Sequence, residues 1–497
     1  MHNRENNPVL GFDLGTTYSA VSKWIDGSGP RVIQNKTGQN TTQSVMYYNP
    51  DNEEIIVGQL AYNRGLVNPE NMIIGVKRMM DSNRPLIAGG KAFTPTEVSS
   101  HILKRIYNDA QSQYPKGLFN SRGSVVSVPF YFKAHQIEST RKAADLAKIN
   151  CIGIIQEPIA ASLSYALQLS EESIGKDVSQ NILVFDLGGG TFDLTLFNLK
   201  SNKNTLFFEV LASGGDDRLG GMDFDKCLSE IILHKSNMSL NGLENSQYNK
   251  ANSMLMDRTI DAKIALSAIS EVYVSIPYFL EDKNIELAIT RNDFETSIQH
   301  YLVKIGGIIE SLWAKSGIKA TDVDRVIRVG GSSSLPCIQN HLEDTIGANK
   351  VWGNLDPSTS ISEGAAMYAA YLDDKDFFNK DIIIQTRTSH ALGLRTAGNE
   401  FNEIIPSNRK TPCAVKKLFT TNEDNLRTLD IEIYQGNGRL VKELTHSHIG
   451  TMTINDLPPR PAGELDIEVN FKVNEEQILS VTVNVEDKRK STVLKYT

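Results

Sequence analysis

The 497-residue sequence predicts an α/β protein of two related lobes followed by a smaller antiparallel β unit. Three observations predict it. Two loops of one plan lie far apart in the chain, Val9-Leu10-Gly11-Phe12-Asp13-Leu14-Gly15-Thr16-Thr17-Tyr18-Ser19 and Ile182-Leu183-Val184-Phe185-Asp186-Leu187-Gly188-Gly189-Gly190-Thr191-Phe192-Asp193. Strand and helix patterns alternate up to about residue 375, the mark of α/β architecture. Beyond that point the apolar period becomes two, the mark of an antiparallel sheet.

In each loop an apolar strand ends in aspartate and runs into small and hydroxyl residues. Glycine lets backbone N–H groups approach an anion closely, and a turn of such groups forms a nest for phosphate. Asp13 and Asp186 stand where a carboxylate would face a divalent cation through water. Two such loops point to a nucleotide held between duplicated lobes. Between them, residues 125–129 read as a strand stopped by Pro129, and 136–148 as an amphipathic helix with Ile137, Ala144 and Ala147 on one face. Glu157-Pro158 opens another helix, with proline near its first turn. Residues 259–270 read as a helix whose apolar face carries Ile260, Ile264 and Ala268. Residues 325–329 form a strand running into a third Gly/Ser loop, Gly330-Gly331-Ser332-Ser333-Ser334.

The charge cluster Asp373-Asp374-Lys375-Asp376 ends the α/β region, and the apolar stretch Ile382-Ile383-Ile384 follows it. Alternation then runs through Leu429, Ile431 and Ile433, through Leu465, Ile467, Val469 and Phe471, and through Leu479, Val481, Val483 and Val485. Gly436-Asn437-Gly438 gives a turn between segments. About 110 residues are enough for a small sandwich.

The formal net charge of −8 and the pI near 5.7 argue against a predominantly electrostatic nucleic-acid or anionic-membrane binder. The cysteines Cys151, Cys227, Cys337 and Cys413 are isolated, which fits a reducing compartment. The nine histidines show no zinc spacing. The polar start Met1 to Asn7 lacks a secretory h-region, and no apolar run reaches the ~20 residues a membrane helix needs. A cytoplasmic location is expected.

The loop at 11–19 resembles the first phosphate motif of the Hsp70 (DnaK-like) chaperones. The same family is matched in order by Val76-Lys77-Arg78, Val128-Pro129, Glu157-Pro158 with Ala160-Ala161, Phe185-Asp186 through Asp193, Leu219-Gly220-Gly221-Met222-Asp223-Phe224-Asp225, and Val329-Gly330-Gly331-Ser332. The resemblance runs from about residue 9 to 497. It implies an actin-like (duplicated ribonuclease H-like) ATPase part over 1–377, an apolar linker over 378–388, and a β-sandwich substrate-binding part over 389–497. It implies ATP or ADP with Mg²⁺, and K⁺ as a further cation. Asp13 and Asp186 would sit near Mg²⁺. Gly15, Thr16, Thr17, Tyr18 and Gly188 to Thr191, with Gly189 and Gly190, would hold phosphates. Lys77 would lie beside the γ-phosphate, and Glu157, Asp193 and Thr191 would order the attacking water. Gly220, Gly221, Lys263, Ser267, Gly330, Gly331, Ser332 and Ser334 would line the nucleoside. Leu394, Phe419, Leu429 and Ile431 would form a peptide groove arched over by Ala397 and Asn422. Phosphoryl transfer needs positioning and charge neutralisation more than covalent help, and these residue types supply both.

The sequence also departs from the family pattern. Ile264 and Ser334 stand where arginine-type side chains would stack on adenine, and Ile260 replaces a carboxylate. Losing such stacking predicts roughly 2- to 30-fold weaker adenine binding. Gly153, Ile137, Ala134 and Thr386 replace charged residues of the partner and linker surfaces, and Asn422 is polar where a small apolar residue is usual. No helical lid follows the β region, so peptide release is expected to be fast. The leading reading is an ATP-dependent chaperone acting on extended hydrophobic peptides, with weak hydrolysis and with J-domain and nucleotide-exchange partners. The alternatives are a weakly or non-hydrolysing co-chaperone or regulatory partner, and a small-molecule kinase on the same fold.

Overall fold

The computed structural model describes residues 7–80, 82, 84–172, 177–202, 204–280, 283–353, 355–375, 381–436, 438–444, 448–474, 479–486 and 488–494. The polar start at 1–6, Asp376, linker residues 378–380 and Asn437 of the predicted turn lie outside the described residues.

Two sheets repeat one plan. In the first, β1 (Val9–Asp13) turns into antiparallel β2 (Tyr18–Ile25), which pairs with β3 (Gly29–Val32). On its other side β1 pairs in parallel with β4 (Gly123–Val128), which pairs with β5 (Cys151–Gln156). In the second, β6 (Val178–Leu187) turns into antiparallel β7 (Phe192–Ser201), which pairs with β8 (Thr205–Asp216). On its other side β6 pairs in parallel with β9 (Arg325–Val329), which pairs with β10 (Val351–Trp352). Asp13 and Asp186 therefore sit at equivalent hairpin corners, and Asp186 lies directly opposite Asp193.

Between the sheets run α3 (Glu157–Glu172) and α6 (Ser360–Asp373). They share one apolar cluster with Val9, Val125 and Ile155 of the first sheet and Ile182, Val184 and Val210 of the second. The approach is at backbone contact. A Cβ on Gly11 would lie 2.0 Å from the Ala366 nitrogen, and one on Gly364 would lie 1.7 Å from the Ala160 oxygen. Larger residues at either point would push the sheets apart and open the cleft above them.

Outside the first sheet, α1 (Gln59–Val67) belongs to a small three-stranded subregion; α2 (Ala134–Leu146) takes the place of the predicted 136–148 helix and ends two residues short of it, Lys148 having φ +63°. Outside the second lie α4 (Gly221–Lys235) and α5 (Asn245–Ala268). Helix α5 corrects the sequence reading in two ways. It begins at Asn245 rather than near 259, and its buried face carries Leu255, Thr259, Ala262 and Leu266. Ile264 and Ala268 are exposed and Ile260 is half-buried, so the expected apolar stripe is not the core face. A threonine in the true core stripe masked it, because its hydroxyl returns to the Leu255 carbonyl at 2.8 Å and is thereby satisfied.

The linker isoleucines form a strand. β11 (Asp381–Gln385) pairs in parallel with β8, Ile382 opposite Leu206 and Ile384 opposite Phe208. Ile382 joins the central cluster, whereas Ile383 faces solvent. The remaining chain forms two four-stranded antiparallel sheets. One has the order β13 (Glu400–Ile405), β12 (Leu392–Thr396), β15 (Leu429–Gln435), β16 (His448–Ile454). The other has β14 (Cys413–Phe419), β17 (Ile467–Val473), β18 (Leu479–Val485), β19 (Lys488–Leu494). Ile433, Met452 and Leu394 from the first share an apolar cluster with Phe471, Val481 and Val483 from the second. Arg387 Nε donates to the Val210 carbonyl at 2.6 Å, and the His390 ring packs edge-on against Tyr131 with centroids 5.5 Å apart. These contacts seat the β unit against the second sheet and against the segment that follows β4 of the first.

Candidate functional site

The first loop leaves β1 at Asp13 and is pinned from behind by Ser44. The Ser44 hydroxyl donates to the Gly15 carbonyl at 2.8 Å, and its amide donates to the Thr17 carbonyl at 2.8 Å. The second loop is stapled to the start of α4: the amides of Gly221 and Met222 donate to the Gly188 and Gly189 carbonyls at 3.0 and 2.8 Å. Asp223 caps the same turn by accepting from the Gly220 amide at 2.9 Å. The loops face each other at close range. A Cβ on Gly189 would meet the Thr17 hydroxyl at 1.9 Å, and one on Gly190 would meet Thr16 at 2.5 Å. Gly330 has φ +78°, and its Cβ would strike the Leu187 carbonyl at 2.5 Å, so only glycine brings the third loop to the second.

Thr16, Thr17, Tyr18, Gly189, Gly221, Lys263, Ser267, Gly331, Ser332 and Ser334 all line one cleft of about 1570 Å³ between the lobes. Beside the aspartates that lead the two loops, Lys77 Nζ donates to Glu157 Oε1 at 2.6 Å. The two residues are 4% and 3% exposed. Burial disfavours the Lys77 charge, but Glu157, Asp13 and Asp186 outweigh it and hold the ammonium above its usual value. Around this single cation stand three further carboxyls. Loss of water and the nearby Glu157 push Asp13 up to about 7, against a 3.1 Å hydrogen bond from Ser127. The same two causes raise Asp186 well above the carboxylate range, and raise Asp193 to about 8. Neither oxygen of Asp193 completes a hydrogen bond of good geometry, and the Tyr131 backbone amide compensates it only weakly.

Four carboxyls against one ammonium, all held from water, make a site that a cation would complete. Among the described residues no three His, Cys, Asp or Glu side chains gather closely enough to ligate a metal directly. The donor set therefore fits an ion held through water and phosphate oxygens, as Mg²⁺ is held beside nucleotides, and not a dedicated protein cage.

A scan against protein families matches the Hsp70 protein family over residues 9–87 and 83–496. The chain belongs to the Hsp70 family. Members of this family are in general ATPases that bind ATP or ADP with Mg²⁺. They act as chaperones on peptide substrates, together with J-domain and exchange-factor partners. The mixed α/β arrangement of the two repeated sheets is consistent with the family's actin-like ATPase fold. Among the described residues no helix is long and apolar enough to cross a membrane.

Lys263, expected at the ribose, lines the cleft, and its ammonium reaches Asp225 at 2.7 Å and the Gly221 carbonyl at 3.2 Å. The expected peptide-groove residues are divided. Leu394 and Ile431 are 4% and 6% exposed within the apolar cluster of the β unit. Phe419 and Leu429 pack against that cluster while keeping solvent access, and Ala397 and Asn422 are exposed.

Several site residues had no assigned role in the sequence reading. Arg78 Nε donates to the Gly190 carbonyl at 2.6 Å, and its guanidinium pairs with Asp223, joining the lobes behind the phosphate loops. Its place beside Lys77 was the available signal. Ser127 supports Asp13 from β4, and its position near a strand end was visible. The hydrogen bond from the Tyr62 hydroxyl to Asp257 at 3.0 Å spans the cleft from α1 to α5. Those residues are 195 positions apart, and no local pattern links them.

Proposed function

We propose that the protein is an ATP-dependent molecular chaperone of Hsp70 type that binds extended hydrophobic peptides and couples weak ATP hydrolysis to peptide affinity. In this reading residues 1–377 bind nucleotide, 378–388 link, and 389–497 form a peptide-binding β-sandwich. The observation that carries it is the buried Lys77–Glu157 pair among Asp13, Asp186 and Asp193, beside the phosphate-type loops that line the cleft.

The roles follow from charge and position. Thr16, Thr17 and the 188–191 turn hold phosphate oxygens through amides and hydroxyls. Lys77 offers a point charge at the transferring phosphoryl group. Glu157, kept in place by Lys77, accepts a hydrogen bond from the attacking water. Asp193 takes up charge or a proton beside that water, and the Thr191 hydroxyl orients it. Asp13 and Asp186 hold Mg²⁺ through its waters, and K⁺ fits the remaining negative charge. When bound, Mg²⁺ supplies the neutralisation that lets phosphate approach four carboxyls. Strand β11 would transmit the nucleotide state, since its isoleucines extend the sheet that carries Asp186 and Asp193. The altered Gly153 and Ile137 positions favour weakened J-domain response. The expected compartment is the cytoplasm.

Ile264 and Ser334 in the nucleoside part of the cleft favour a second reading, a nucleotide-binding co-chaperone with little hydrolysis. Single-turnover ATP hydrolysis with Lys77→Ala as control separates the two. Hydrolysis above the control is expected, and none above it sinks the enzyme reading. A peptide titration with and without ATP tests coupling, and equal affinity in both states rejects it.

A further inference from the structure

A second cavity, of about 30 Å³, lies where the β unit meets the first lobe. Phe130 and Phe132 line it from the segment after β4, Ile137 from α2 and Gln156 from the end of β5. The β unit faces them with His390, just before β12, and with Gln435 at the end of β15. Its other contributions, Val473 of β17 among them, carry no charge. His390 is the one titratable side chain in this lining, and among the described residues no carboxylate joins it. The volume holds about one or two waters, too few to hydrate an ion.

The ring is set in its neutral form. His390 Nδ1 lies 3.0 Å from the Ser389 hydroxyl and 3.4 Å from the Gln435 side-chain nitrogen. An amide nitrogen only donates, so Nδ1 is the accepting nitrogen and the proton sits on Nε2. Tyr131 packs against the ring, and its own hydroxyl is turned to the Ser213 carbonyl at 3.3 Å. Of the charged groups on the packed segments, Lys133 bears on the ring, and it repels a second cation. Arg387, on the same segment as His390, is held by the Val210 and Asn408 carbonyls. Glu157, next to Gln156, is engaged by Lys77. Gln156 Oε1 is buried and completes no hydrogen bond. Burial first, and then Lys133, push His390 down to about 4.

We propose that His390 makes the seat of the β unit acid-sensitive: the neutral ring docks on the first lobe, and the protonated ring releases it. A proton on Nδ1 would point at the Gln435 donor, meet the Lys133 charge and find no carboxylate in the cavity. Once released, the imidazole regains water and its ordinary value of 6.5. The docked state therefore binds fewer protons. Its stabilisation is fully present above 6.5 and is lost as pH falls toward about 4. The seat rests on two segments that lead to the buried charge cluster. Gln156 directly precedes Glu157, and the Tyr131 amide serves Asp193, so release loosens both. Neither nucleotide nor hydrolysis enters this step, which stands apart from the nucleotide reading.

Hydrogen exchange of the full nucleotide-free chain, read at the β11 amides that pair with β8, measures docking. Corrected for intrinsic exchange, their protection is expected to fall about tenfold from pH 7.5 to 5.5, because 5.5 lies one unit below the released value of 6.5. His390→Leu and His390→Gln put non-titrating side chains in the seat, and their protection is expected to change less than about twofold over the same range. Asp13 and Asp193 titrate alike in all three chains and cancel in the comparison. Nuclear magnetic resonance of carbon-13 histidine-labelled parent protein reads the ring directly, and His390 is expected to stay neutral down to about pH 5. Equal losses of protection in parent and variants, or no loss in the parent, overturns the inference. So does a His390 ring that titrates near 6.5 in the intact chain. Where both variants fail to dock, the ring titration in the parent decides alone.

Discussion

Replacing Lys77 with methionine tests the buried charge cluster most directly. The side chain is 4% exposed and its ammonium lies 2.6 Å from Glu157, itself 3% exposed. Methionine fills similar volume, so the change removes charge more than packing. Glu157 is then left buried without its cation. Breaking one side of a buried pair costs about 3–5 kcal/mol. An independent route gives a similar figure, because holding an ordinary glutamic acid neutral at pH 7 costs about 4 kcal/mol. Asp13, Asp186 and Asp193 lose the same compensating charge, which places the expected loss at the upper end of that range. The double variant Lys77→Met/Glu157→Gln removes both partners and should recover at least half of the loss. Urea unfolding of the nucleotide-free protein measures this, and single-turnover hydrolysis in Mg²⁺ gives the functional arm. Removal of one preorganised charge from a developing phosphoryl transition state lowers the rate by roughly 100-fold or more. A single variant that hydrolyses ATP within threefold of the parent, or a double variant no more stable than the single one, refutes the reasoning.

Three further outcomes follow from the same structure. Asp13 near 7 and Asp193 near 8 lie above their unfolded values, so the folded state binds more protons and their stabilisation is lost as pH rises through those values. Urea midpoints of the nucleotide-free protein should fall between pH 6 and 9, and Asp193→Asn or added Mg²⁺–ATP should flatten the slope; a rising midpoint contradicts the assignment. Ile382→Asp puts a charge where a buried isoleucine contributes about 1.5–3 kcal/mol, so β11 should detach and trypsin cleavage at Arg387 should quicken at least tenfold by roughly that energy. Unchanged cleavage would mean the strand pairing contributes nothing in solution. Arg78→Ala removes both the Gly190 contact and the Asp223 pair across the lobes, and stopped-flow should record nucleotide release about tenfold faster or more.

What the sequence disclosed and what it concealed divide along one physical line. Asp13, Asp186 and the glycines between them were readable because a strand end, a turn and a carboxylate are set by a few adjacent residues. The duplication was readable for the same reason, and the paired topology of β1 and β6 follows from it. Periodicity reports which side chains share a face, but not what covers the face. Ile260 and Ile264 share one as expected, yet that face borders the cleft. Leu394 and Ile431 were read as groove lining; alternation sends them inward equally well, and inward is where they lie. Contacts such as Tyr62–Asp257 or Arg78–Asp223 join distant segments, and no local propensity encodes them.

The buried charge cluster makes little sense as a device for stability. Four carboxyls with one ammonium, shut away from water, oppose folding of the empty protein, and a packed apolar substitute would serve the core better. Such an arrangement is maintained only if something bound there repays it, and the missing quantity is positive charge. Phosphate cannot enter alone, since it adds negative charge to negative charge. A cation arriving with phosphate satisfies Asp13, Asp186 and Asp193 together, and that places the discriminating energy at the charged end. Lys263 does not supply that charge, because it is already paired with Asp225. The cleft is thus stringent about charge, and that property follows from where its ions were placed.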